Sequence, residues 1–150
     1  MIKNETLVTG QSTWSTALGI SAEKWKNNFA SLKSLTFDTK LRWFQYRVLH
    51  HILSTNRSVS KFKREQSELC TFCGAHSETI QHLLWQCKKV QTFWNDLSDL
   101  LNRRCTHTHN FSFNECLILF GQSDLITITT DKICNFIILT AKFHIYKCKV

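Results

Sequence analysis

Apolar positions step along this chain at helical spacing for most of its length. The clearest run covers Asp38 to Ser54, where Leu41, Phe44, Val48 and Ile52 recur every three or four residues and make one apolar stripe. Leu49 and Leu53 widen it, while Lys40, Trp43, Arg47 and His50 step along a neighbouring face. Asp38 stands where a helix N-cap or first-turn acid belongs. Upstream, Trp25, Phe29 and Leu32 give a shorter helix over Ala22 to Leu32, with Ser21 as its cap. Downstream, Glu78 to Cys87 reads as a helix with Ile80, Leu83 and Leu84 apolar. Glu78 is its first-turn acid. Val90 to Leu101 follows, with Phe93, Trp94, Leu97, Leu100 and Leu101 on one side, and Asp131 to Lys147 reads as a final helix whose Ile and Phe content suits a strand as well.

The intervening segments are polar. Residues 1–20, rich in Ser, Thr and Asn, predict a weakly ordered lead-in. Residues 55–69 fit a short helical turn or a loop, Cys70 to Gly74 a tight turn, and Asn102 to Asn110 a break. Phe113 to Phe120 suits a strand or a buried helix, because periodicity does not separate the two over so short a run, and 111–130 has room for a short β hairpin.

Composition supports this pattern. The 150 residues are enough for one core, Pro is absent and Gly occurs four times, which favours helices over a turn-rich β sandwich. The predicted class is therefore mainly α. A formal charge of +8 points to a polyanionic partner, although solubility alone also uses net charge. Residues 1–20 lack a secretory pattern, and apolar runs such as Cys116 to Phe120 are too short to span a bilayer, so no membrane partner is expected. An intracellular chain with reduced thiols is the reading, and in that setting its seven Cys point to metal more than to disulfides.

The metal signal is local. Cys70, Cys73, His82 and Cys87 follow C-x2-C-x8-H-x4-C within 18 residues. Three thiolates and one imidazole make a closed tetrahedral zinc site, one structural Zn2+ with no open position for catalysis. C-x2-C sets two sulfurs on one turn, Gly74 follows where the backbone must bend, and His82 and Cys87 come from the next helix. In finger peptides such a site is worth roughly 10–16 kcal/mol of folding energy. His76 is a rival to His82. Cys105, His107 and His109 lack a fourth partner for a second site, and Cys116, Cys134 and Cys148 read as core or tail thiols. The fold therefore reads as a small helical domain with a CCHC zinc-binding turn-helix over 21–104, and 105–150 as a C-terminal extension, either packed on it or folding apart from it.

A second signal precedes the first. From Lys40 to Arg64 there are seven basic residues and no acid: Lys40, Arg42, Arg47, Arg57, Lys61, Lys63 and Arg64. Trp43, Tyr46 and Phe62 are interleaved. Cations contact phosphate and exposed aromatics stack on unpaired bases, so Trp43 joins the candidate contacts, and Lys88 and Lys89 after the last ligand extend them.

These residues resemble a known family. KLRWFQYRVLHHIL and then LCTFCGAHSETIQHLLWQCKKVQTFW are similar to the zinc-binding region that follows the polymerase thumb in LINE-type, non-LTR retrotransposon reverse transcriptases. Cys70, Cys73, Gly74, Glu78, Thr79, His82, Leu83, Cys87, Phe93 and Trp94 carry the likeness, and AKFHIYKCKV resembles the tail of such proteins. The resemblance implies a parent protein that binds element RNA and carries out target-primed reverse transcription. It does not carry activity to this chain, which has no Asp-Asp pair to hold Mg2+ and no acidic endonuclease motif after Cys87. The starting Met before the region points to a truncated, domesticated or mispredicted reading frame. The expectation is a non-enzymatic module that binds RNA or single-stranded DNA. The alternative is a structural module that packs against a polymerase or another protein through Trp85, Phe93 and Trp94.

Overall fold

The computed structural model describes residues 9–104, 112–121 and 128–149. Its elements run α1 (Thr9–Leu18), α2 (Ala22–Leu35), α3 (Thr39–Leu49), α4 (Asn56–Ser60), a π-helical turn (His82–Gln86), α5 (Lys88–Arg104), α6 (Glu115–Phe120) and α7 (Ile128–Cys148). Among the described residues there is no sheet, only an antiparallel bridge between Leu69 and Ser77. The mainly helical class follows from the caps. Ser21 Oγ accepts the Lys24 N–H at 3.1 Å and opens α2. Asp38 Oδ1 accepts the Lys40 N–H at 2.7 Å and opens α3.

One apolar cluster joins all of these elements except α4, from Trp14 on α1 through Phe44, Val48 and Leu49 on α3 to Ile138, Leu139 and Ile145 on α7. Packing therefore crosses the expected border at 104/105: α7 lies on α3, α2 and the π-turn.

Several expectations change. Residues 9–18 of the expected lead-in form α1, because Trp14 is drawn fully into the core despite its polar neighbours. Residues 1–8 lie outside the described residues. Helix α3 stops at Leu49 and not at Ser54. Trp14 Nε1 donates to the carbonyls of Val48 and Leu49, both at 3.1 Å, and Trp25 Nε1 donates to Leu49 at 3.3 Å. Those are the acceptors that the N–H groups of Ile52 and Leu53 would need to continue the helix. The chain turns instead through His51 at φ 57°. Ile52 and His51 donate back to Arg47 and Val48, a left-handed helix ending built without glycine. Ile52 thereby leaves the apolar stripe and is exposed, while Leu53 stays buried.

The hairpin expected within 111–130 gives way to helix. Asn114 Oδ1 accepts the Leu117 N–H at 2.8 Å, four buried residues follow, and Gly121 closes α6 at φ 68°. Residues 122–127 lie outside the described residues, and Ile128 already belongs to α7. Arg103 and Arg104, read as part of a break, extend α5, where cations suit a helix C-terminus.

Candidate metal centre

The segment 68–87 folds as a knuckle and a half-turn facing each other. The Cys70 N–H donates to the His76 carbonyl and the Gly74 N–H to the Cys70 carbonyl, both at 2.8 Å. Gly74 takes φ 63°, which a side chain would resist, so the turn that leaves Cys73 needs glycine there. Thr79 Oγ1 accepts the His82 N–H at 3.0 Å and starts the second half. The Cys87 N–H then bonds the His82 carbonyl at 2.9 Å, five residues back. This widened turn brings two residues five apart toward one face, which α geometry would hold well apart.

Four donors converge as a result. Cys70, Cys73, His82 and Cys87 place their ligand atoms within 4.8 Å of one another. Cys70 Sγ lies 3.9 Å from Cys87 Sγ, and Cys73 Sγ 3.4 Å from His82 Nε2. For metal–sulfur bonds of about 2.3 Å and metal–nitrogen bonds of about 2.0 Å, the edges of a tetrahedron are roughly 3.8 Å and 3.5 Å. The residues therefore fit a metal ion, and the donor set is that of a borderline-soft divalent cation. The His76 ring stays outside the cluster, 5.4 Å from the His82 ring centre to centre. Cys105, His107 and His109 lie outside the described residues.

The environment divides the thiols. Burial pushes the Cys70 thiol up to about 11. At Cys73 the Ala75 backbone N–H, helped by His76 and His82, brings the thiol down to about 5. A bound cation supplies the positive charge that would hold both as thiolates.

Glu78 is not the first-turn acid of a helix. Its carboxylate has no exposed surface and sits at a crossing of three segments. Oε2 accepts the Thr71 N–H at 3.0 Å and the Thr71 hydroxyl at 3.2 Å. Oε1 accepts the Asn56 N–H at 2.9 Å, at the start of α4, and the ammonium of Lys149. Burial raises this carboxyl, but Lys149 and the Thr71 and Asn56 N–H groups outweigh it and hold it below its ordinary value. Sequence reasoning missed this hub. Its signal was the position of the acid between the second and third ligands, which fits a helix start equally well.

The predicted contact residues fall into two groups. Arg57, Lys61, Lys63 and Arg64 are exposed on α4 and the turns after it, with Phe62 among them 89% exposed. Lys88 and Lys89 are exposed at the start of α5, directly after Cys87. On α3, Lys40 is exposed and Trp43 is 57% exposed, its ring stacked on Tyr46 at 5.1 Å and 8°. The two half-buried arginines also have contacts within the fold. Arg42 donates Nε to Thr36 O at 2.6 Å and Nη2 to Lys33 O at 2.7 Å, closing the end of α2. Arg47 lies over the Tyr146 ring at 5.6 Å. Of the aromatics expected at a protein contact, Trp94 is buried, its Nε1 donating to Leu84 O at 2.8 Å, and Trp85 and Phe93 pack against the core.

Fold and site together define a small helical metal-binding domain. The chain belongs to the family described as zinc-binding in reverse transcriptase, whose profile matches residues 9–94 and so takes in α1, α2, α3 and all four ligands. No curated protein and no solved structure matches the chain. Among the described residues, no helix is long and apolar enough to cross a membrane.

Proposed function

We propose that this chain is a non-catalytic zinc module, related to the LINE-type reverse transcriptases, that binds RNA or single-stranded DNA. The observation that carries the reading is the basic arm, Arg57 to Arg64, tied to the metal knuckle. Asn56 Nδ2, one residue before Arg57, donates to Leu69 O at 2.8 Å and to Thr71 Oγ1 at 3.1 Å, beside Cys70. Four exposed cations thus share one short arm with the exposed Phe62. Phosphates would meet the cations, and an unpaired base would find a free face on Phe62 or on Trp43. Zinc would be held by Cys70, Cys73, His82 and Cys87, where four protein donors complete a tetrahedron and leave the ion a structural role.

The test is a salt titration of binding to a single-stranded RNA and to a DNA duplex. Replacing Lys61, Lys63 and Arg64 by Gln is expected to weaken binding at every salt concentration and to lower the slope of log K against log salt by about two. An unchanged slope in a folded, metal-loaded variant would remove the arm from the interface.

A second reading, a module that packs against a polymerase domain or another protein, draws on Ile133 and Phe136, both exposed and three residues apart on α7. Absence of salt-dependent binding in the parent chain would favour it.

A further inference from the structure

Glu78 is a buried carboxylate with four donors, and those donors come from three places: the knuckle, the start of α4 and the end of α7. A solvated acid would accept one or two such bonds and leave the rest to water. Here Thr71, between the ligands Cys70 and Cys73, gives Glu78 both its N–H and its hydroxyl. Asn56, which gives its N–H, is the first residue of the helix that carries the basic arm. Lys149 also donates to Ser54 O at 3.3 Å, so the same ammonium holds the approach to that helix. Thr55 then caps α4 reciprocally with Ser58, which makes the arm's entry a fixed geometry and not a loose loop.

We propose that Glu78 is the positioning residue that joins the metal knuckle to the basic arm, with Lys149 as its counterion, so that order at the metal sets order in the arm. This rests on the reading of the arm as the polyanion surface. Glu78 touches neither the ion nor the polyanion. It fixes where Asn56 and Thr71 sit relative to one another, and through them where Arg57, Lys61, Lys63 and Arg64 are held. A neutral amide at this position would keep the shape, lose the charge that binds Lys149, and present an NH2 to a donor already there.

The test uses the full chain loaded with Co2+ or Zn2+, and amide hydrogen exchange as the readout. In Glu78→Gln the cobalt visible spectrum is expected to keep its tetrahedral pattern, one ion per chain. Exchange over 54–64 should rise at least roughly tenfold, the scale of losing one charge-assisted hydrogen bond, while α2 and α3 keep their protection. Lys149→Met should raise exchange over the same residues, and Lys149→Arg should restore it. Two outcomes would overturn the proposal: unchanged exchange over 54–64 in a loaded Glu78→Gln chain, or a rise spread evenly over all helices. RNA affinity reports on the other reading separately. If the arm loosens in Glu78→Gln and RNA affinity does not fall, the coupling stands and the arm is not the RNA surface.

Discussion

The amine of Lys142 on α7 donates to Oε1 of Gln45 on α3, 97 residues earlier, at a point where the lysine is 2% exposed. A second bond runs to Leu119 O at 3.2 Å on α6. A neutral amine has two N–H groups and both are used. Asn28, Ser31 and Asn135 line the small space around it, together with apolar side chains, and no acid is among the described residues that line it. Burial brings this lysine down to about 7 from an ordinary 10.5.

That pairing makes a pH prediction. Between about pH 7 and 10.5 the unfolded chain holds the proton and the folded chain does not, so stability rises with pH across this window and levels off below it. Lys142→Met is expected to flatten the rise, which should be on the order of a few kcal/mol in the parent. Thermal melts of both proteins from pH 6.5 to 10 check it, and parallel curves would mean that Lys142 is charged in the fold.

Gly10 is where α1 crosses the end of α3. A Cβ there would stand 2.5 Å from His50 Cα and 2.5 Å from Leu49 O, both backbone atoms that have little room to yield. Gly10→Ala should therefore cost about 1–3 kcal/mol despite alanine's better helix propensity. Denaturant midpoints measure the loss, and a neutral result would show that α1 can shift.

Trp14→Phe keeps most of the buried ring and removes one N–H. Val48 O loses its indole donor but keeps the His51 N–H, and Leu49 O keeps Trp25. A loss of about 0.5–1.5 kcal/mol is expected in equilibrium unfolding, because neither carbonyl is left without a donor. If the loss is near zero, the ending of α3 owes little to those bonds.

Arg42 and Lys40 separate structure from binding. Arg42→Gln frees the carbonyls of Lys33 and Thr36 and should lower stability by about 1–3 kcal/mol without changing the salt slope of RNA binding. Lys40→Gln, at an exposed position, should leave stability within about 0.5 kcal/mol and lower the slope. The reverse pattern would move the contact surface to the other face of α3.

Removal of the metal is expected to cost far more than any of these. Cys87→Ser, or chelation of the parent chain, should abolish metal binding and, with it, much of the cooperative unfolding of the segment 70–87. Metal content and circular dichroism on one sample would decide it, and a helical signal untouched by chelation would show a fold that stands without the ion.

The ligand quartet and the caps at Ser21 and Asp38 were legible in the sequence because each is a local requirement. A metal ion demands particular side chains at a spacing that one turn can supply, and a helix start demands an acceptor within three residues. The apolar stripe of α3 was legible for the same reason, since periodicity is a property of neighbours. Periodicity says which face is covered but not by what. Where α3 ends depends on Trp14, 34 residues upstream of Val48. Whether Arg42 meets phosphate or closes α2 depends on the return of the chain at Thr36. Glu78 looked like a helix acid until Asn56 and Lys149 arrived from 22 and 71 residues away to share its carboxylate. A polar side chain's role is set by the partner that makes its burial tolerable, and over such separations only the tertiary fold chooses that partner.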